Sequence, residues 1–422
     1  MVAQLFEYCN AQRFSKHSPK IRHLRERLPI VNDQASTAKT TAHPLAGTRM
    51  SGADMVVQVL ADEEVDTIFG YSGGAILPTY DAVFRYNDQH RREDGSAAIP
   101  LIVPANEQGA GFMASGYARA SGKVGVVMVT SGPGATNTVT PVRDCMADSV
   151  PIVVICGQVP RPAIGTDAFQ EAPVSAIMGA VAKHIFLVTD PSKLEDTMRS
   201  AFELARTGRP GPVVIDIPKD VQNWEGEFKG QGGLPLPGYR RRWQTISDNH
   251  LSDDACKRFY AMLAQSERPL IYAGGGVINS HATKPMRRFA SAYGIPVTTT
   301  LMALGASDTT HPLAMHMLGM HGLASANYAV EDCDFLITIG ARFDDRVAGD
   351  PVNFAPKAKN IAHFDVDIAE VGKVKRVNWH HIGVLERDLE DLLAYGKRIN
   401  FEKPFDAWHE EIAMLKKKYC LN

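Results

Sequence analysis

Short apolar runs alternate with amphipathic stretches through the first half of the chain. The runs at 124–130 and 151–156 are apolar throughout, which is typical of strands buried on both faces of a parallel sheet. Between the runs, apolar residues recur at helical spacing, as at Met55, Val56, Val59 and Leu60. The strands predicted here are 65–69, 99–104, 124–130, 151–156, 185–188 and 213–217.

A second alternating unit starts at Leu251. It predicts strands at 270–273, 296–300, 335–339 and 361–366, each ending in glycine, arginine or an acidic residue. The pattern indicates an α/β protein with two doubly wound, mostly parallel sheet domains, the second of them Rossmann-like. The GxGxxG fingerprint is absent after the strand at 270–273, so the triple glycine there is weak evidence for a dinucleotide.

Composition places the domain boundaries. We expect an N-terminal extension over 1–47, a first domain over 48–223, a linker over 224–250, a second domain over 251–400 and a tail over 401–422. The linker is rich in glycine, proline and arginine and lacks periodicity. The extension is basic and poor in acids, which is typical of an organelle transit peptide or of a disordered start, and we favour the second interpretation.

Charge and cysteine content exclude several classes of protein. A formal net charge of −2 gives no basic footprint for nucleic acid. No apolar run approaches the roughly 18 residues of a membrane span. The six cysteines are scattered without CxxC pairs, which favours reduced thiols in a cytoplasmic compartment.

Glu107 is the first candidate for chemistry. It precedes a segment of small residues, from Gly109 to Ala120, that predicts a helix to which a flat ligand could pack closely. A carboxylate in the first turn of a helix lies in the positive end of the dipole, and apolar neighbours would tune its proton affinity. Taken alone, such a residue more often only complements the dipole.

Other candidates follow the predicted strands. Gly73 lies in a small-residue turn, and Gln158 ends a strand where its amide could bind a carboxylate or serve only as a satisfied turn amide. Phe169 lies in the loop that follows, where a lone phenylalanine usually packs. Lys183 would by default be a solvated surface charge.

The order of motifs from Thr48 to Tyr419 resembles the large subunit of acetolactate synthase, a thiamine-diphosphate enzyme. The strings that carry the resemblance are FGYSGGAILPTYDA, NEQGAGFMASGYARASG, TSGPGATN, GQVP, IGTDAFQEA, GRPGPVVIDIPKDV, MLGMHG and GARFDDRV. Three positions depart from the family pattern. Ser72 replaces a proline, Asn106 replaces a common histidine, and Gly179 replaces an arginine found near the flavin in many members.

The resemblance implies roles for individual residues. The first domain would bind the pyrimidine of thiamine diphosphate, with Gly73 among the contacts and Glu107 as the activating acid. Gln158 would lie beside the reacting centre. Phe169, Lys183, Met320 and Arg346 would bind substrate, although Arg346 could instead pair with Asp344 or Asp345. The second domain would bind FAD in a structural role through Gly274, Gly275, Gly276, Thr300, Leu301, Met302, Leu318, Gly319, Met320, His321, Gly340, Ala341, Arg342, Asp365, Val366 and Asp367.

The implied reaction is decarboxylation of pyruvate and transfer of the two-carbon unit to a second pyruvate or to 2-oxobutyrate, the entry to branched-chain amino acids. The family further implies a homodimer or tetramer and a regulatory small subunit. Family members hold the diphosphate through Mg²⁺ in a third domain that begins Gly-Asp-Gly, a string absent from this sequence, so no metal ligand is predicted here. We therefore expect a chain inactive by itself unless another polypeptide supplies that domain. The alternatives are an inactive FAD-binding or subunit-interaction protein, and another carboligase such as one for glyoxylate.

Overall fold

The computed structural model describes residues 42–232, 236 and 238–419, so most of the predicted N-terminal extension lies outside the described residues. Two parallel six-stranded sheets and a short antiparallel ribbon form the described chain. The predicted α/β class with two parallel-sheet units is confirmed.

The first sheet has the strand order β3-β2-β4-β5-β7-β6, with every pair parallel. Its central strands are buried on both faces because helices cover each side. The strands are β2 (Ile68–Tyr71), β3 (Leu101–Ile102), β4 (Gly125–Val129), β5 (Ile152–Gln158), β6 (His184–Leu187) and β7 (Val213–Pro218). The helices around it are α1 (Gly52–Asp62), α2 (Leu77–Gln89), α3 (Glu107–Ser121), α4 (Pro133–Thr136), α5 (Val139–Asp148), α6 (Val174–Gly179), α7 (Leu194–Arg206) and α8 (Lys219–Gln222).

The second sheet has the order β11-β10-β9-β12-β13-β14, again fully parallel. Its strands are β9 (Pro269–Ala273), β10 (Val297–Thr299), β11 (Ala314–Met317), β12 (Phe335–Ile339), β13 (Asn360–Asp365) and β14 (Trp379–Ile382). The helices of this half are α10 (Asp253–Gln265), α11 (Gly276–Asn279), α12 (Thr283–Tyr293), α13 (Ala324–Asp332), α14 (Asp345–Ala348), α15 (Leu385–Arg398) and α16 (Asp406–Lys418). Trp408 anchors α16 in the core, where its indole donates to the Pro269 carbonyl at 3.0 Å.

The segment predicted as a linker carries regular structure. Strand β8 (Glu225–Glu227) pairs antiparallel with β1 (Arg49–Ser51), and helix α9 (Tyr239–Ser247) follows. Helix α9 could not be predicted from an apolar pattern, because its residues are mostly polar and none is buried. Contacts with α7 and the residue that follows it hold the helix in place. Arg240 pairs with Glu203 at 2.7 Å, and the Tyr239 hydroxyl is hydrogen-bonded to the Thr207 hydroxyl at 2.7 Å.

The two sheets contact each other through opposite ends of their strands. The carboxyl edge of the second sheet, where its strands end, contacts the amino edge of the first, where strands begin. Arg209, ahead of β7, bonds Glu370 at 2.7 Å and Asp367, just past β13, at 3.4 Å. Arg119, at the end of α3, donates to the sulfur of Met302 beyond β10 at 3.2 Å. The carboxyl edge of the first sheet therefore faces away from the second.

Two glycines of α3 offer a matched test of how this helix packs. A Cβ at Gly111 would lie 2.3 Å from Cγ of Pro141 in α5, whereas a Cβ at Gly116 meets nothing within 4 Å. We expect Gly111→Ala to destabilise the fold by about 1–3 kcal/mol through overpacking. We expect Gly116→Ala to stabilise it by about 0.5–1 kcal/mol through helix propensity. Urea unfolding of both variants measures the difference, and equal effects would contradict this packing.

Candidate active site

The loops at the carboxyl edge of the first sheet approach one another closely. A Cβ at Gly73 would lie 2.5 Å from the Thr130 side chain, so only glycine allows this approach. The Ala75 amide donates to the Thr130 hydroxyl at 3.3 Å. The turn after β4 therefore packs directly against the turn after β2.

Glu107 lies at this edge as the first residue of α3. Asn106 caps the helix, because its side chain accepts from the Gly109 amide at 2.7 Å. The departure from the family pattern at Asn106 thus has a structural role. The Glu107 side chain is turned inward, with the residue only 8% exposed, and its Oε2 accepts from the Asn137 amide at 2.9 Å.

The second carboxylate oxygen of Glu107 faces the glycine turn. A Cβ at Gly134 would lie 3.7 Å from Oε1, so the turn presents bare backbone to this oxygen. Tyr80 lies nearby, and burial first, with the charge of Glu107 second, raises the pKa of its hydroxyl. The carboxylate therefore lies in narrow surroundings beside the glycine turn, where a bound ring could reach it.

Gln158 is held by hydrogen bonds within the protein. It is buried, and its amide donates to Asp216 Oδ2 at 2.9 Å and to the Ala172 carbonyl at 3.2 Å. Its Oε1 accepts from the Val159 amide at 2.8 Å. Both donors are thus used inside the protein, which favours the satisfied structural amide over a catalytic one.

Phe169 lies on a loop that touches the same edge. A Cβ at Gly132 would lie 2.5 Å from the carbonyl oxygen of Gln170, so the loop rests on the turn that carries Asn137. Gln170 has a positive φ of 58°, and the Phe169 side chain is 88% exposed. The structure thus brings the Phe169 loop beside the Glu107 turn with its ring available for contact.

Two polar residues at this edge were missed by the sequence analysis. Gln170 adjoins Phe169 and is exposed. Lys219 follows the end of β7 and lines a cavity of about 400 Å³ with Leu77 and Asp81. Strand position is the signal that could have found Lys219, because polar residues directly after parallel strands share one edge.

Lys183 lies at the opposite edge, because it precedes β6 rather than following a strand. Its ammonium donates to the carbonyls of Leu204 and Thr207 at the end of α7, the latter at 2.7 Å. Burial first and the charge of Arg209 second lower its pKa to about 8. The structure does not bring Lys183 to Glu107 within the chain, and its role as a substrate ligand stays a prediction.

The sixteen positions matched to flavin binding all lie at the carboxyl edge of the second sheet, each group of them at the end of one of the five strands β9 to β13. Gly274 packs on the β12 turn, because a Cβ there would lie 2.2 Å from the Gly340 carbonyl oxygen. The triple glycine is therefore required by backbone packing whether or not a ligand binds.

Met320 and Arg346 lie together at that second edge. The Met320 amide donates to the Arg346 carbonyl at 2.9 Å, and the guanidinium lies 3.8 Å from the Met320 sulfur. Within residues 42–232, 236 and 238–419, the carboxylate of Asp344 pairs with Arg342 at 3.8 Å and no ion pair of Arg346 is found. The alternative ion pair of Arg346 with Asp344 or Asp345 is therefore not formed, and the guanidinium of Arg346 can bind a carboxylate.

The described residues contain no group of three or more His, Cys, Asp and Glu side chains that could hold a metal ion.

Comparison with known families assigns both halves of the chain. Residues 50–177 match the model of the thiamine pyrophosphate enzyme N-terminal TPP binding domain, and residues 256–392 match the model of the central domain. Together the two models match more than half of the chain. The chain belongs to the thiamine pyrophosphate enzymes.

Within that family the chain is similar to acetolactate synthase large subunits. It is 43% identical over 385 residues to the acetolactate synthase large subunit from Corynebacterium glutamicum. The aligned region covers 91% of this chain and 59% of that protein. It is 45% identical over 371 residues to the probable one from Methanocaldococcus jannaschii, covering 87% of this chain and 60% of that protein. It is 40% identical over 415 residues to the chloroplastic acetolactate synthase 2 of Nicotiana tabacum, covering 94% and 59%. The resemblance is confirmed, and the chain spans about six-tenths of the length of these relatives.

No helix within the described part of this thiamine pyrophosphate enzyme combines the length and apolar character needed to cross a membrane.

Asp216, the partner of Gln158, gives a test of burial at the edge of the site. Burial raises the pKa of Asp216 to about 7, against an opposing hydrogen bond from Gln158. The folded state therefore holds a proton that the unfolded state releases above the usual pKa of 3.8, and stability from this group is lost as pH rises to about 7. In Asp216→Asn that loss is removed.

We expect the free energy of unfolding of Asp216→Asn, relative to that of the wild type, to increase as pH rises from about 4 to about 7. Above that range the difference is constant. Urea unfolding at pH 5, 6, 7 and 8 measures it, and a difference that does not change with pH would contradict the buried, protonated carboxyl.

Proposed function

We propose that this chain is the pyrimidine-binding and central part of an acetolactate synthase that converts pyruvate to acetolactate. The observation that carries the proposal is the inward Glu107 carboxylate held by Asn137 within a glycine turn. The alternative products, from 2-oxobutyrate, belong to the same carboligation. Both lead to branched-chain amino acids.

The residues around Glu107 fit the aminopyrimidine of thiamine diphosphate. Oε2 is occupied by Asn137, whereas Oε1 faces the bare backbone of Gly134 across a narrow gap. Glu107 would exchange a proton with a ring nitrogen, and the Gly73 turn would bound the ring. When bound, the cofactor would supply a carbon acid whose deprotonated form is a nucleophile, and a ring that takes up the electron pair left by decarboxylation.

The second 2-oxo acid would meet Phe169, Met320 and Arg346. The Phe169 ring is exposed, and the Arg346 guanidinium is a fork suited to a carboxylate. The Arg346 edge contacts the amino edge of the first sheet, and Glu107 lies at the carboxyl edge of that sheet, so the two residues are apart within one chain. We therefore propose that two copies combine them. Exposed apolar residues on α2, at β3 and on α3 support a homodimer: Leu77, Phe84, Ile102, Val103, Phe112 and Met113.

FAD is the proposed structural cofactor of the second domain. Two features of the carboxyl edge favour a flat ligand. The Thr300 hydroxyl is buried without a hydrogen-bond partner among the described residues, and Leu301 is 68% exposed beside it.

Mg²⁺, the assembly and the location complete the proposal. We assign the Mg²⁺ and diphosphate ligands to residues outside the two matched domains, since the described residues contain no metal cluster. A tetramer and a regulatory small subunit are further proposals from the relatives, which are named as large subunits. We propose a cytoplasmic location.

Product formation tests the function. The 422-residue chain is assayed with pyruvate, thiamine diphosphate, Mg²⁺ and FAD, alone and together with a polypeptide that supplies diphosphate- and Mg²⁺-binding residues. Acetolactate is expected in the complemented assembly. Its absence from both assays, or consumption of glyoxylate in place of pyruvate, would contradict the proposal.

Glu107→Gln tests the proposed proton relay. In an active assembly we expect the rate of acetolactate formation to fall by about 10²–10⁴-fold, because a positioned general acid–base contributes that much. The FAD content of the purified protein should not change, since Glu107 and the proposed flavin edge lie on different sheets. Glu93→Gln, at an exposed position, is the matched control. Retained activity in Glu107→Gln would remove the residue from its role.

A further inference from the structure

A second cavity lies at the amino edge of the first sheet, away from Glu107. It encloses about 270 Å³ between α9, the end of α7 and the start of β6, and is lined by Lys183, His184, Leu204, Leu236, Tyr239 and Arg242. This volume is below the roughly 300–1,000 Å³ of typical pockets for drug-sized ligands. An occupant must therefore be small.

The lining carries positive charge and no carboxylate. Lys183 is the inner cation. An ammonium has three donors, and two of those of Lys183 are directed to the carbonyls of Leu204 and Thr207. Burial works against its charge, so an anion at the third donor would stabilise the charged form.

Arg242 is the outer cation. Its neighbour Arg240 is paired with Glu203 at 2.7 Å, whereas Arg242 has no ion pair within the part of the chain that the structure describes. Arg242 lies on α9, one turn from Tyr239, and is exposed. An exposed guanidinium that forms no ion pair can offer two parallel donors to a carboxylate.

The remaining walls are largely apolar. Leu204 and Leu236 supply aliphatic surface. The Tyr239 hydroxyl is already bonded to Thr207, so the ring rather than the hydroxyl is available. Burial lowers the pKa of His184, which keeps its imidazole neutral at pH 7. Two cations over an apolar floor complement a carboxylate that carries a short aliphatic group.

We propose that this cavity is a binding site for a small aliphatic carboxylate, held between Lys183 and Arg242. The site is separate from the proposed reaction centre, because it lies at the opposite edge of the sheet from Glu107. It does not depend on the proposed carboligase activity. Its occupancy would brace α9 against α7, since Arg242 and Leu204 belong to those two helices.

Calorimetric titration of the full chain with isobutyrate tests the site. The neutral isostere isobutyramide and inorganic phosphate serve as comparison ligands. We expect isobutyrate to bind and isobutyramide to bind at least tenfold more weakly, because a charge-assisted bond is lost. Phosphate should also bind more weakly, since it leaves the apolar wall uncovered. Equal binding of isobutyrate and isobutyramide, equal or tighter binding of phosphate, or no binding of isobutyrate would overturn the proposal.

Variants locate the site. Arg242→Gln should weaken isobutyrate binding about tenfold or more, whereas Arg241→Gln, the adjacent exposed arginine outside the cavity lining, should not change it. Lys183→Met should abolish binding where that variant folds, and Arg242→Gln carries the test where it does not. An equal loss in Arg241→Gln, or unchanged binding in Arg242→Gln, would show that the cavity is not the site.

Discussion

The hydrogen bond from Asn137 to Glu107 joins the two segments on which the proposed chemistry depends. One segment is the first turn of α3, and the other is the glycine turn after β4. Parallel strands bring both to one edge of the sheet, and glycine at positions 73 and 132 lets neighbouring loops approach without a clash. A carboxylate that would otherwise turn to water is thereby fixed inside the cleft.

The arrangement of the two sheets has a consequence for assembly. The second sheet contacts the first through Arg209 and Arg119, both at the amino edge. Glu107 lies at the other edge, so residues proposed for one reaction are separated within a single chain. This separation and the apolar surface beside α3 both favour a site completed by a second copy.

Much of the fold could be predicted from sequence, because strands buried on both faces are apolar throughout, as in β4 and β5. Residue Glu107 could be found because local motif and strand position agree. Gln158 could not be judged, since its hydrogen bonds come from Asp216 and Ala172, distant in sequence. Lys183 precedes its strand, and helix α9 is polar and held only by tertiary contacts. Those features depend on partners that no local pattern reveals.

The most direct measurement of the central claim is the rate at which the proton on the thiazolium carbon of thiamine diphosphate exchanges with deuterium. The complemented assembly, in which a second polypeptide supplies the diphosphate-binding residues, is given saturating cofactor and Mg²⁺, and exchange is followed by NMR. If Glu107 relays the proton, wild-type protein accelerates exchange over free cofactor and Glu107→Gln loses most of that acceleration. Equal exchange with the wild type and with Glu107→Gln would contradict the account.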